Sequence, residues 1–209
     1  MNKPIIALDA DGVLLDFNSA YAVVWERAFG TRPAVQDPHA YWAIDRFGLE
    51  RLEADALAHF RGHFDEGFWA TVPAIEGAVE ACFAMADAGY ELVCVSALPT
   101  LFAQARLDNL RALGFPIERV LATGHEPTDR SPKAQALDAL SPVAFVDDYM
   151  PFMRGIKPGV HKALVMRGRN GTPNHGPELE EMHSMHSDLE EFSQWWLSRP
   201  DSALDHSRS

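Results

Sequence analysis

Short runs of consecutive apolar residues, each closed by a turn or a polar side chain, recur at 5–8, 92–95, 120–122, 143–146 and 163–166. Such runs are the pattern of strands buried on both faces of a parallel sheet. Between them lie helical patterns. Residues 76–88 bring Val79, Cys82, Phe83 and Ala86 to one face and stop at Gly89, and residues 100–113 run from Thr100, a candidate N-cap, to Gly114. A last amphipathic segment, 187–197, carries Leu189, Phe192, Trp195 and Trp196 and predicts a helix docked on the sheet. Alternation of this kind predicts an α/β fold, a Rossmann-like doubly wound parallel sheet.

One interval breaks the alternation. Residues 17–72 offer helical patterns and many aromatics, among them Tyr21, Trp25, Trp42, Phe60, Phe64, Phe68 and Trp69, but no strand. This predicts an inserted helical cap, with 32–39 and its Pro33 and Pro38 separating two helices. The expected organisation is therefore a Rossmann-like core of 1–16 and 73–200, a cap of 17–72, and a flexible tail of 201–209 that lacks an apolar face. Asn170-Gly171-Thr172 reads as a turn.

Composition narrows the function classes. The chain has 209 residues, 47% hydrophobic and 23% charged, enough for one substantial core with a small accessory module. Its formal charge of -12 sets up a field that repels polyanions, which argues against a nucleic acid polymer or an anionic membrane as partner. A phosphorylated small molecule would have to be met locally, by a metal, a lysine and backbone N–H groups. The start of the chain lacks the pattern of a secretory signal, and no apolar run approaches the ~20 residues of a membrane span; the expected location is cytoplasmic. Cys82 and Cys94 lie in apolar stretches and are expected to be small buried hydrophobes. The sequence is silent on oligomeric state.

In an open parallel sheet the ligand crevice lies beyond the carboxyl ends of the strands, so polar residues placed directly after an apolar run are positioned to act. The first run ends in Asp9-Ala10-Asp11-Gly12-Val13, the second in Ser96, and the fourth in Asp147-Asp148; Ser131-Pro132-Lys133 opens a helix after the third. Ser131 suits an N-cap and Pro132 the first helical position, which sets Lys133 in a first turn where the helix dipole disfavours a cation and an anionic partner is required. His175, His183 and His186 match no recognised metal spacing.

D-x-D-G-V, a serine after the second strand, a lysine at a helix start and a late D-D, in this order and at strand ends, resemble the haloacid-dehalogenase-like hydrolase superfamily over roughly residues 5–166. The resemblance points to the phosphatase branch with a small helical cap. It implies that Asp9 is a nucleophile forming an aspartyl-phosphate and that Asp11 is the general acid and base. Lys133 would stabilise the transferring phosphoryl group, and Ser96, with Ala97, would bind its oxygens. A Mg²⁺ ion would be held by Asp9, the backbone carbonyl of Asp11, Asp148, and Asp147 directly or through water. Many relatives carry Asn or Gly where this chain has Ala97.

Dehalogenases of the superfamily do not use the Mg²⁺ and acid/base arrangement, so Asp11 favours phosphoryl chemistry. A phosphonate hydrolase would need a lysine from the cap, and 17–71 contains none. The expected activity is thus hydrolysis of a small phosphorylated metabolite. The segment GFWATVPAIEGAVEACFAMADAGYELVCVSA is similar to deoxyribonucleotidase-like members, and an aromatic cap suits base stacking, although burial of most of those rings against one another and the core is the favoured explanation. A phosphomutase, or a non-catalytic phosphoester-binding protein, is the alternative. Closure of the cap over Asp9 during reaction is a further expectation.

Overall fold

The computed structural model describes residues 3–125 and 130–200; the expected tail, 201–209, lies outside them. A sheet of six parallel strands forms the centre: β1 (Ile5–Leu8), β2 (Glu91–Ser96), β3 (Val120–Ala122), β4 (Ala144–Asp147), β5 (His161–Val165) and β6 (Ser184–His186), in the order β3-β2-β1-β4-β5-β6. The apolar runs located the first five to within two residues at each end. The last escaped because Ser184, Met185 and His186 carry no apolar run; the strand exists by pairing with β5, Leu164 opposite Met185.

The central strands form because they are apolar where the sheet is covered. Ile6, Ala7, Leu8, Val93, Cys94, Phe145 and Val146 are fully buried. One apolar cluster joins Ile6, Leu8 and Cys94 with Cys82 and Met85 of α5 (Ala78–Asp87) and Leu189, Phe192 and Trp196 of α8 (Leu189–Ser198). A second lies on the opposite face and includes Ala7, Val93, Phe145 and Leu137, the last from α7 (Ala134–Leu140). Both cysteines are buried and unpaired, and burial pushes the Cys94 thiol up to about 12. Helix α8 docks chiefly on α5, where Ser193 donates to the Ala81 carbonyl at 3.2 Å.

Helix ends follow the sequence except at two places. Gly89 and Gly114 adopt left-handed φ of 97° and 85° and terminate α5 and α6 (Ala103–Ala112). Thr100, however, caps nothing: it opens a 3₁₀ turn, Thr100–Phe102, and α6 begins after it without a side-chain cap. Helix α7 likewise begins at Ala134, because the amide of that residue closes a turn onto the Ser131 carbonyl; Ser131 Oγ accepts from the Lys133 amide at 3.2 Å, and Lys133 occupies the cap position rather than the first turn.

The interval 17–72 contains α1 (Phe17–Phe29), α2 (Ala43–Arg46), α3 (Ala54–Arg61) and α4 (Glu66–Trp69) and none of the six strands. The chain leaves and re-enters at one point: the Asp16 amide donates to the Pro73 carbonyl at 2.8 Å and the Ile75 amide to the Leu14 carbonyl at 2.9 Å. Asp16 also caps α1, accepting from the Ser19 amide at 3.0 Å. Most aromatics of the interval pack on one another; Phe60 meets Tyr21 edge-on at 5.0 Å and Phe64 at 5.1 Å. Among the described residues no helix is long and apolar enough to cross a membrane.

His161 of β5 lies against His183, Trp195 and Trp196, with His186 and Arg199 close by. Burial, reinforced by the neighbouring His183, Arg199 and His186, lowers it to about 4. An unfolded histidine titrates near 6.5, so between that pH and about 4 the unfolded chain binds a proton that the fold refuses. Stability contributed by this group is complete above the unfolded value and is lost as pH falls through the window. Urea midpoints measured from neutral pH downward will fall, and His161→Gln will flatten that slope; an unchanged slope in the variant contradicts the assignment.

Candidate active site

The crevice lies where the strand order reverses, above β1 and between β2 and β4. Asp9 follows β1 directly, and its amide donates to the Val146 carbonyl at 2.9 Å, which fixes the start of the loop against β4. The loop then turns back on itself, the amides of Leu14 and Leu15 both donating to the Ala10 carbonyl at 2.9 Å. Gly12 makes this turn at φ 95°. A Cβ there would lie 2.6 Å from Arg167 Nε and from the Asp148 carboxyl carbon; glycine is required by conformation and by space alike.

Lys133 stands at the centre. It is fully buried, and its ammonium donates to Asp9 Oδ1 and to Asp147 Oδ2, the latter at 2.6 Å. Burial works against the ammonium, but Asp147 and Asp9 outweigh it and hold Lys133 above its ordinary value. The anionic partner that sequence demanded is therefore present, although the helix-dipole argument for it fails with the later start of α7. Phe152 packs under the ammonium, Nζ 4.7 Å from the ring centroid.

Asp9, Asp147 and Asp148 are all buried and offer oxygens within 4.8 Å of one another. Burial raises Asp147 and Asp148, with Lys133 opposing the shift at the first and Arg167 at the second, while neighbouring carboxylates add to it. A cluster of hard oxygen ligands whose negative charge is poorly solvated fits a hard divalent cation. Asp147 is the more committed of the pair, since Oδ1 accepts from the Tyr149 amide at 2.8 Å while Oδ2 holds Lys133. Among the described residues this is the metal-capable cluster, and His175, His183 and His186 take no part in it.

Asp148 is braced from several directions. Arg167 donates to its carboxylate and to the Tyr41 carbonyl at 3.1 Å, and lies over the Tyr41 ring at 4.2 Å. The Asp148 carbonyl accepts from Tyr41 Oη at 3.2 Å and from Asn174 Nδ2 at 2.7 Å, and Asn174 Oδ1 in turn accepts from the Met150 amide at 2.8 Å. Sequence reasoning missed this set. Arg167 was within reach of the strand-end rule, for it directly follows the run 163–166; Tyr41 and Asn174 come from irregular segments that give no such signal.

Asp11 faces outward, its side chain 24% exposed, and Arg106 Nη2 donates to both of its oxygens at 2.8 and 3.0 Å. Burial raises Asp11, against the Arg106 charge and with help from Asp9. Arg106 is fully buried on α6 and was not foreseen either, because an arginine within AQARLDNLRA reads as a solvated helix position.

Asp9, Asp11, Ser96, Ala97 and Asp148 line one cavity of about 370 Å³. Ser96 ends β2, buried, with its carbonyl accepting from the Thr123 amide at 2.9 Å. Trp42, Tyr149, Phe152 and His125 form one wall, and Phe17 and Trp69 belong to the same lining. Tyr149 meets Phe152 edge-on at 4.8 Å and Trp42 at 6.1 Å. Asp9, Asp11, Ser96, Ala97 and Asp148 thus meet at one cavity, and Lys133, at the start of α7, joins Asp9 of its lining to Asp147.

Comparison with known proteins adds the family. Residues 3–114 match the model of the family described as 5' nucleotidase, deoxy (pyrimidine), cytosolic type C protein. Solved structures with the same fold include a haloacid-dehalogenase-like family hydrolase from Streptococcus pneumoniae, 17% identical, TM-score 0.59, covering 93% of this chain and 98% of that one. A HAD family hydrolase from Deinococcus radiodurans R1 with bound phosphate and sodium is 17% identical, TM-score 0.58, covering 91% and 94%. A dehalogenase with an intermediate complex is 18% identical, TM-score 0.60, covering 92% and 96%. No curated protein matches. The chain belongs to the cytosolic type C 5' nucleotidase family, and with it to the haloacid-dehalogenase-like hydrolases.

Substituting Gly12 tests how tightly the loop is built. Gly12→Ala must force either Arg167 or Asp148 aside in a backbone region that side chains avoid, and is expected to lower stability by roughly 2 kcal/mol or more in urea unfolding. A loss under about 0.5 kcal/mol, the range of ordinary surface substitutions, contradicts the packing described.

Proposed function

We propose that the protein is a Mg²⁺-dependent phosphomonoester hydrolase acting through an aspartyl-phosphate on a nucleoside monophosphate. The observation that carries the reading is the buried Lys133 bound to Asp9 beneath a cavity that Asp11 also faces. An ionised carboxylate needs no activating base to attack. Asp9 attacks phosphorus as the bond to the leaving oxygen breaks, and Asp11 delivers a proton to that oxygen. Water then attacks the aspartyl-phosphate, Asp11 takes its proton, and phosphate leaves with Asp9 restored. Lys133 and the Ser96 hydroxyl, with the Ala97 amide, meet the charge on the phosphoryl oxygens.

Asp9, Asp148 and the backbone carbonyl of Asp11 would hold the Mg²⁺ ion, with Asp147 as a direct or water-mediated ligand. When bound, the ion supplies positive charge that lets an anionic carboxylate approach an anionic phosphate. The nucleotide part of the reading rests on the family match and on the aromatic lining of Trp42, Tyr149 and Phe152, whose faces suit a planar base. In this reading 1–16 and 73–200 carry the chemistry, and 17–72 is a cap that contributes Phe17, Trp42 and Trp69 to the cavity and closes over it.

Phosphate release from nucleoside 5'-monophosphates, sugar phosphates and small organic-acid phosphates tests both levels. The expected result is turnover with Mg²⁺, none with EDTA, loss of at least about 10³-fold in Asp9→Asn, and about 10²-fold in Ser96→Ala, the size typical of one lost oxyanion donor. Best turnover on a sugar phosphate overturns the nucleotide assignment. Undiminished turnover in Asp9→Asn overturns the mechanism.

A further inference from the structure

Helix α6 brings two buried polar side chains, Arg106 and Asn109, to the face it turns inward. Arg106 Nη2 straddles the Asp11 carboxyl, 2.8 and 3.0 Å from its two oxygens. The guanidinium carbon lies 5.1 Å from the centre of the Trp69 ring, at the end of α4. One turn further along, Asn109 Nδ2 donates to the Val72 carbonyl at 3.0 Å, where the 17–72 interval returns to the sheet.

Arg106 is a poor device for stability. It is fully buried, while Nε and Nη1 have no hydrogen-bond partner among the described residues. Buried donors left unsatisfied are costly, and a buried ion pair is commonly no better than well-packed apolar side chains. Among the described residues its hydrogen bonds go to the Asp11 carboxyl and its guanidinium lies over Trp69, a ring of the cavity lining. Arg106 does not line the cavity, whereas Asp11 does; the arginine holds the inner side of the carboxyl and leaves the outer side open.

We propose that Arg106 is the positioning residue of Asp11: it fixes the plane of the carboxyl so that an oxygen is presented to the leaving group, and through Trp69 it ties that orientation to the 17–72 interval. The inference rests on the reading of Asp11 as the group that protonates the leaving oxygen. Arg106 itself supplies no proton and touches no substrate.

A leaving group of low basicity departs without help, whereas an alkoxide requires a proton, so loss of a correctly held acid falls selectively on alkyl esters. The test compares kcat/KM, which reports the step in which the leaving group departs, for p-nitrophenyl phosphate and propyl phosphate on the same preparation. Native protein and the variants Arg106→Met, Arg106→Lys, Asp11→Asn and Arg106→Met with Asp11→Asn are measured. Because a ratio of two substrates on one sample is independent of how much of the sample is folded, partial unfolding of a variant leaves the readout intact.

Arg106→Met is expected to lose at least about tenfold more on the alkyl ester than on the aryl ester, Arg106→Lys less, and the double variant no more than Asp11→Asn alone. Equal losses on both esters in Arg106→Met, or further selective loss in the double variant, overturn the inference while the phosphatase reading stands. Native protein that hydrolyses neither these esters nor any nucleotide overturns both.

Discussion

A single ammonium group buried among carboxylates holds this site together. Lys133 is inaccessible to water and donates to Asp9 and Asp147, side chains that follow or end two adjacent parallel strands. Carboxylates that close would repel one another in a medium of low dielectric, and removing one partner of such a buried pair generally costs several kcal/mol. Lys133 makes the convergence of β1 and β4 affordable in free energy and at the same time aims a cation at whatever approaches Asp9. Positive charge at Arg167 and Arg106 extends the arrangement to Asp148 and Asp11. Within the cluster of Asp9, Asp147 and Asp148, Lys133 and Arg167 leave one carboxylate without its own cation, which is why the oxygen cluster suits a further cation.

The fold exists to make that meeting geometrically easy. A parallel sheet whose order reverses at β1 places the ends of β2 and β4 on either side of the first loop, so that Ser96, Asp9 and Asp147 arrive together without any long excursion of the chain. Gly12 then lets the loop pass within contact of Asp148 and Arg167. Gly168 plays a similar part behind them, since a Cβ there would stand 2.8 Å from the Tyr41 Cα. Solved structures with this fold include a hydrolase with bound phosphate and a dehalogenase, so the sheet by itself selects no reaction; in the proposed reading the selection falls to Asp11 and to what surrounds it.

Sequence reading located the first five strands and the polar residues at their ends, where the signal lies in neighbours along the chain. Apolar runs such as IIAL and AFV read as strands because they are short, bounded by turn or polar residues and alternate with helical patterns, and a carboxylate or hydroxyl placed directly after such a run lies at the ligand end of the sheet. It failed where a role is set by pairing across the fold. Strand β6 is polar and owes its conformation to β5. Thr100 looked like a cap because its chemistry allows one, but the chain continues into a 3₁₀ turn there. Arg106 shares the inward face of its helix with Asn109 and Leu110, whereas Arg111 is exposed, but the partner that gives Arg106 its role, Asp11, is far away in sequence. The aromatics of 17–72 divide in the same way, Phe60 and Phe64 packing among themselves and Trp42 facing the cavity.

The central claim is that Asp9, held by Lys133, becomes phosphorylated. Native protein mixed with a radiolabelled substrate and quenched in acid within milliseconds should carry label on the peptide containing Asp9, stable to acid and released by hydroxylamine. Turnover without label on that peptide, or label on another residue, would contradict the account.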